Sequence, residues 1–315
     1  MNIINANDIR ILREKTGVGM MECKKALIET AGNMDQAIEY LRNKGLTTAS
    51  KKAGRIAAEG LVNAYVDDNK KVGVLLEINC ETDFVVMNAA FQKFVQDITK
   101  IIVTENPTDV SVLSSLPMAD DRTVEEVLTE MIQIIGEKIN IRRFVRYKVK
   151  GIGAIHSYIH SDSLEKGKEG VILECSASNI KNTTTSEFAS FQNDLALQIA
   201  AYRPEYVRKE DVPVDILEHE KVIYMAQAMN EGKSKAIAEK ITQGKIDKFY
   251  KEVCLLEQPY LKDDSKSISD ILQDINTKLG EESITIMRFT RYKKGEGIEK
   301  SKSNFVTDVM NQIIG

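Results

Sequence analysis

Apolar residues recur at helical spacing in three segments of the first fifty residues. Asp8 and Asn33 are suited to cap the first and third segments, and Gly17 follows the first as a helix end. The apolar positions are Ile9 and Leu12 in the first segment, Cys23, Ala26 and Leu27 in the second, and Ala37, Ile38 and Leu41 in the third. The pattern therefore predicts a small three-helix bundle that ends near Gly45.

Beyond this bundle the spacing becomes strand-like. Residues 61–66 and 72–78 are rich in β-branched side chains and are joined by a polar turn, which predicts a β-hairpin. Asn88 and Thr123 each precede a segment with an apolar stripe at helical spacing, and the residues between these two segments, 107–121, predict a loose connection. This part of the chain therefore predicts antiparallel strands covered by helices.

Two patterns occur twice in the chain. Ile139 and the strand-like residues after it are similar to Ile284 and its followers, an offset of 145 residues. Residues 73–77 are similar to 170–174, an offset of 97. The larger offset arises because residues from 211 to about 258 are extra in the second copy, and their pattern predicts two helices that form a projecting hairpin. The repeats predict two related α+β core halves.

These patterns predict an α+β fold with four parts. The three-helix domain and its linker take residues 1–54, the first core half 55–148, the second core half with the inserted hairpin 149–292, and a C-terminal module 293–315. The C-terminal module is predicted to contain a helix that carries Phe305, Val309 and Ile313. The bundle resembles the ubiquitin-associated type of three-helix domain.

Composition restricts the classes of function. The 315 residues are 43% hydrophobic and 29% charged, with a net charge of -4, so the chain can bury a sizeable core but has no overall basic footprint for nucleic acid. No apolar run reaches the ~20 residues that span a bilayer. The N-terminus lacks the basic and apolar regions of a secretory signal. We expect a cytoplasmic protein that binds neither a membrane nor nucleic acid directly.

Candidate catalytic and metal-binding residues are sparse. The four cysteines are far apart, with no C-x-x-C spacing, and read as ordinary thiols in a reducing compartment. His156 and His160 share one face of a predicted strand, but no third ligand is evident, and His219 stands alone. A cysteine or histidine enzyme is one alternative, but the pattern favours a protein without covalent catalysis and without a cofactor. The cysteines are Cys23, Cys80, Cys175 and Cys254.

One polar stretch interrupts the apolar pattern at the end of the second predicted strand. Residues 79–85 read N-C-E-T-D-F-V, so the strand gives way to Asp83 and then to Phe84. Spacing alone favours Asp83 as a turn or cap residue and Phe84 as a core aromatic, since large apolar residues are usually buried.

Four motifs in order resemble the bacterial elongation factor Ts family. Residues 12–27 read L-R-E-K-T-G-V-G-M-M-E-C-K-K-A-L, and the stretch at 79–85 is the second motif. Residues 135–143 read I-G-E-K-I-N-I-R-R, and residues 295–300 read G-E-G-I-E-K. The resemblance covers nearly the whole chain. It implies guanine-nucleotide exchange on elongation factor Tu, the GTPase that delivers aminoacyl-tRNA to the ribosome.

The resemblance also implies which residues contact that partner. Asp83 and Phe84 would reach into the GTPase domain as a wedge, and Thr82 to Val85 would disturb the bound Mg²⁺. Further contacts are implied for Arg13, Met20, Met21, Ile135 and Gly136. Two consecutive methionines on one helix cannot both face a three-helix core, so we expect at least one of Met20 and Met21 to be exposed. The second core half or the hairpin would hold the partner's far domain or let the complex dimerise, and the sequence leaves both open.

The chain departs from the family pattern directly after this stretch. The family commonly carries a small and then a basic residue there, whereas this chain has Val86 and Met87. We therefore expect affinity to rest more on apolar contact. An alternative function is an adaptor that binds a peptide or ubiquitin-like partner through its bundle, without exchange activity. That alternative explains only the first fifty residues.

Overall fold

Three helices open the computed structural model, which describes residues 4–119, 121–161, 167–279 and 284–299. They are α1 (Ala6–Thr16), α2 (Met20–Glu29) and α3 (Met34–Lys52). The cap of α1 is Asn5, whose side chain accepts from the Asp8 amide at 2.8 Å, so Asp8 lies in the first turn and the prediction that it caps α1 is wrong. Gly17 in the left-handed conformation ends α1, and Asn33 caps α3, both as predicted.

The third helix is longer than the sequence predicts. The predicted end near Gly45 is wrong, because α3 continues to Lys52. A Cβ built on Gly45 would lie 2.7 Å from Gln133 Oε1, so this glycine allows a later helix to approach α3 closely. It does not end the helix.

Each core half contains a three-stranded antiparallel sheet and the helices that cover it. The first half contains β1 (Glu59–Val66), β2 (Val72–Cys80), α4 (Ala89–Glu105), α5 (Val110–Ser115), β3 (Pro117–Ala119), β4 (Arg122–Thr123), α6 (Val124–Ile135) and β5 (Ile139–Lys148). Its main sheet has the strand order β1-β2-β5. The prediction of a loose connection at 107–121 is wrong, because α5 and β3 lie there, and β3 pairs with β4 directly after it.

The second half repeats the arrangement around an insertion. It contains β6 (Gly153–His160), β7 (Glu169–Ala177), α7 (Ser186–Tyr202), α8 (Val214–Asn230), α9 (Lys235–Val253), β8 (Pro259–Tyr260), β9 (Asp263–Ser267), α10 (Ile268–Leu279) and β10 (Ile284–Lys293). Its main sheet has the order β10-β7-β6. Helices α8 and α9 form the predicted hairpin. The chain is therefore an α+β protein, as predicted; the exact domain boundaries stay a prediction.

The core sits in layers on both sides of the two sheets. On β2, Val74, Leu76 and Ile78 face α4 and α6, where they pack with Phe91 and Phe94. The alternate residue Leu75 faces the other way, toward Ile155 and Ile172 of the second sheet. Because a strand buried on both faces cannot alternate with polar residues, β2 reads as a nearly continuous apolar run.

Reciprocal contacts relate the two halves. The Arg143 guanidinium lies 4.2 Å from the ring centre of Tyr292, and Arg288, its counterpart at the 145-residue offset, lies 4.0 Å from that of Tyr147. Tyr147 and Tyr292 are themselves counterparts. Such an exchange of partners is what two similar units packed about an approximate two-fold axis produce. The internal repeat in the sequence is thus a repeat in the structure.

The segment after β10 returns to the first half. The Gly295 amide donates to Glu77 Oε1 at 2.8 Å, and Lys294 Nζ lies 2.6 Å from Glu59 Oε2. Arg142 donates to the Glu296 carbonyl. We call residues 294–298 the return segment. The predicted C-terminal helix with Phe305, Val309 and Ile313 lies outside the described residues.

Gly295→Ala is expected to destabilise the protein by about 2–4 kcal/mol, because the residue has a φ of +66° and a built Cβ would lie 2.2 Å from the Ala58 carbonyl oxygen. Gly297→Ala is the matched control. It has a φ of +77°, but a built Cβ would meet only Arg142 Nη2, at 3.9 Å, so it should cost only about 1–2 kcal/mol. Urea unfolding of both variants checks the difference. Equal losses would show that the return segment is not closely packed against Ala58.

None of the helices in the described ranges is both long and apolar enough to cross a membrane.

Candidate functional site

The site begins at the end of β2, where a 3-10 turn, Asp83–Met87, presents Phe84 to solvent. The phenylalanine side chain is 81% exposed. Val85 and Val86 on the other side of the turn are buried in the core of the first half. Because a 3-10 helix has three residues per turn, Phe84 and Met87 share one side, and Met87 is 66% exposed as well.

This geometry overturns what spacing alone favours for Phe84. The prediction of a core aromatic is wrong, because Val85 and Val86 occupy that place and turn Phe84 outward. Asp83 is exposed at the start of the turn. The side chain of Val85, one of the residues implied to contact a partner, is buried and instead anchors the turn.

Thr82 is fixed by Glu137, which lies two residues before β5. Its amide and its hydroxyl donate to the two carboxylate oxygens of Glu137, at 2.9 and 2.6 Å. The pairing of Cys80 with Ile139 in the sheet brings these two segments together. Glu137 therefore holds the start of the turn at this end of the sheet.

The end of α6 lies at the same end of the sheet. Gly136 ends the helix in the left-handed conformation, and its carbonyl accepts from Lys52 at the end of α3. Ile135 is half-buried against the core of the first half. The neighbouring Ile134 is 44% exposed, and the sequence pattern did not indicate it as a site residue.

The loop between α1 and α2 brings the bundle close to this end of the sheet. A Cβ built on Gly17 would lie 3.0 Å from Ile134 Cδ1, so the loop touches the last turn of α6. Met20 and Met21, which follow the loop, are 55% and 66% exposed, and Arg13 is exposed too. The expectation that at least one methionine faces solvent is confirmed.

The fold thus gathers segments that are far apart in sequence at one end of the first half. We call their exposed side chains the apolar edge; they are Met20, Met21, Phe84, Met87 and Ile134. Exposed methionines and an exposed aromatic are typical of surfaces that bind other proteins. The exposed neighbours Met87 and Ile134 could have been found in the sequence only from the pitch of the turn and of α6.

The candidates for covalent chemistry and metal binding are the cysteines and histidines. Cys80 donates through its thiol to the Thr82 carbonyl at 3.0 Å, and burial, with a smaller contribution from Glu137, raises its pKa to about 12. Burial lowers the pKa of His156, with help from Lys70. Among the described residues, no three His, Cys, Asp or Glu side chains are grouped as a metal site would require.

In native protein the thiols are expected to resist alkylation. All four cysteines are buried, and a pKa near 12 leaves only about 0.01% of Cys80 as thiolate at pH 8. Iodoacetamide labelling followed by mass spectrometry should show almost no modification in buffer and four modified thiols in denaturant. Rapid native labelling of one cysteine would instead revive the alternative of a cysteine enzyme.

Comparison with known proteins gives the family. The model of the family described as "Elongation factor TS" matches residues 81–296. The elongation factor Ts of Symbiobacterium thermophilum is 46% identical over 309 residues, which cover 98% of each chain. That of Clostridium perfringens strain SM101 has the same identity and coverage, and that of Trichlorobacter lovleyi is 45% identical over 97% of each chain.

The chain belongs to the elongation factor Ts family. Its place in this family of translation factors confirms the resemblance seen in the four motifs. The two residues that were expected to depart from the family pattern lie on different sides of the turn. Val86 is buried, whereas Met87 adds an exposed apolar side chain beside Phe84.

The internal repeat contains a second turn of the same form. It spans Ile180–Thr184 after β7, and Lys181 stands where the first half has Phe84. None of its residues is buried. The exposed aromatic therefore belongs to the first half alone.

Proposed function

We propose that this elongation factor Ts family member is a guanine-nucleotide exchange factor for elongation factor Tu. The observation that carries the proposal is Phe84, a large aromatic side chain that is 81% exposed on a turn anchored by two buried valines. An aromatic held in this way loses little conformational freedom when it enters a partner, and such residues dominate binding energy.

Exchange requires a coupling of free energies and no covalent step. The factor must bind the nucleotide-free GTPase more tightly than the GDP-bound form, and GDP then weakens the factor by the same ratio. A thousandfold ratio corresponds to about 4 kcal/mol. A few buried contacts from the apolar edge are sufficient for that energy.

In the proposed step Asp83 and Phe84 enter the GTPase domain as a wedge. Thr82 and the backbone of Val85 would approach the Mg²⁺ that bridges the phosphates of the bound GDP. Loss of that ion or of its waters removes the largest local positive charge from the diphosphate, so GDP leaves faster. Arg13, Met20, Met21, Ile135 and Gly136 would hold the GTPase domain beside the wedge.

The test is release of fluorescently labelled GDP from elongation factor Tu in a stopped-flow instrument, with and without the protein. A rate that rises with protein concentration and then saturates is expected. Binding without acceleration would favour the adaptor alternative, in which the bundle binds a partner but does not drive exchange. No acceleration and no binding would refute the proposal.

The hairpin is proposed to make a separate contact. Val214 and Val222 on α8 are 74% and 67% exposed, and Ile237 on α9 is 51% exposed. This surface would hold the partner's far domain or join two copies of the complex. Sedimentation of the complex with elongation factor Tu distinguishes the two, since self-association doubles the mass of the complex.

A further inference from the structure

The turn that presents Phe84 has little support of its own. It is five residues long, and the side chain of Thr82, at its N-terminal cap, makes no hydrogen bond to the turn's amides. Short 3-10 segments have poor hydrogen-bond geometry, and one turn of helix does not persist alone in water. Contacts from other parts of the chain must therefore set its conformation.

Val85 and Val86 anchor one side of the turn in the core, and the Gln92 side chain donates to the Val86 carbonyl at 2.9 Å. At the start of the turn, two carboxylates act reciprocally. Glu137, two residues before β5, accepts from the Thr82 amide and hydroxyl, at 2.9 and 2.6 Å. Glu81, directly after β2, accepts from the Lys138 amide at 2.6 Å. Each strand end thus gives a carboxylate to the backbone of the other. We call Glu81, Thr82, Glu137 and Lys138 the carboxylate clamp.

The clamp also holds the segment that leaves the bundle. Lys138 Nζ donates to the Ala53 and Arg55 carbonyls at 2.6 and 2.8 Å. Arg55 in turn lies 3.3 Å from Glu81. One group of side chains therefore orients both the turn with Phe84 and the end of the helical domain.

The second half provides an internal comparison. Ser178 and Asn179 occupy the positions of Glu81 and Thr82, and the Asn179 side chain accepts from its own turn, at the Lys181 amide, at 3.0 Å. That turn is thus capped locally and carries a lysine. The counterparts of Glu137 and Lys138 lie outside the described residues. The turn that carries the exposed aromatic has no such local cap, and Glu137, from the segment before β5, holds its start.

We propose that Glu137, assisted by Glu81, is a positioning residue for exchange: it holds the Phe84 turn in its binding conformation before the partner arrives. The inference rests on the proposed function. A partner that recognises one conformation of the turn has an apparent affinity reduced by the fraction of protein in that conformation. Charge-assisted bonds to Thr82 keep that fraction high without any contact between Glu137 and the partner.

The first test uses the free protein. The chain contains no tryptophan, so Phe84→Trp introduces a single fluorophore at an exposed position. Adding Glu137→Ala should at least double the amplitude of the fast anisotropy decay of the introduced indole, whereas Glu137→Gln, which keeps one acceptor, should give an intermediate amplitude. Thr123→Ala is the control, because it removes the cap at the far end of α6 and destabilises the same half.

The second test uses stimulated GDP release with Phe84 in place. Glu137→Ala should raise the half-saturating concentration about tenfold and leave the maximal rate unchanged, as expected if the binding-competent fraction falls about tenfold. Glu137→Gln should recover part of the loss.

Three results would overturn the positioning role of Glu137. The first is an anisotropy decay that Glu137→Ala leaves unchanged, and the second is an equal change of that decay in the Thr123→Ala control. The third is a lower maximal rate of GDP release in Glu137→Ala at an unchanged half-saturating concentration. Failure of the proposed function has a different signature. In that case the protein fails to accelerate GDP release at all, while the anisotropy experiment still reports on the clamp.

Discussion

Phe84→Ala is expected to lower stimulated GDP release from elongation factor Tu by about 100-fold at saturating protein, equivalent to about 2.7 kcal/mol of lost transition-state stabilisation. The maximal rate should fall because the ring acts in the complex, on the nucleotide site, and alanine leaves that space unfilled. Stopped-flow release of labelled GDP measures the effect. A maximal rate within twofold of the unsubstituted protein would contradict the wedge.

The matched control is Lys181→Ala. Lys181 holds the position of Phe84 in the corresponding turn of the second half, so the same truncation there should leave GDP release unchanged. The stability of the Phe84→Ala variant should stay within about 0.5 kcal/mol of the unsubstituted protein, because an exposed side chain contributes little to the core. Urea unfolding checks this and excludes misfolding as the cause of lost activity.

Most helices and strands could be predicted from local sequence because periodic burial leaves a periodic pattern. Asn33, Asn88 and Thr123 cap helices in the structure as their positions predict. The end of α3 could not be predicted in the same way. Gly45 looks like a helix end, and only its close approach to Gln133, far along the chain, shows that it is a packing position.

The site was harder to predict, because the spacing of residues in the sequence does not show which side chains a short turn buries or which distant residues it meets. Spacing cannot tell whether Phe84 or the valines after it fill the core, since that depends on the pitch of one short turn. The resemblance to a known family supplied Phe84 as a contact residue. Neither pattern nor resemblance indicated that Glu137 bonds to Thr82, because the two are 55 residues apart and meet only through the pairing of β2 with β5.

The buried Glu77 is expected to be the most sensitive single position for stability. Its carboxylate is fully buried, 2.9 Å from Arg142 Nη1 and 2.7 Å from Arg143 Nε. It also accepts from the Gly295 amide and the Asn79 side chain. The return segment, β5 and β2 therefore meet at one side chain. Among the residues that the structure describes, its counterpart Glu174 forms an ion pair only with Arg288.

Glu77→Leu should cost about 3–5 kcal/mol, because it leaves two arginines and a buried amide without their acceptor. Glu174→Leu should cost about half as much, since the Arg288 side chain is 46% exposed and water can replace its partner. Urea unfolding measures both losses. Hydrogen exchange at residues 294–298 should also accelerate in Glu77→Leu and not in Glu174→Leu. Similar losses of stability, with unchanged hydrogen exchange in the return segment, would show that the two carboxylates are equivalent. The apolar layer rather than Glu77 would then join the two halves.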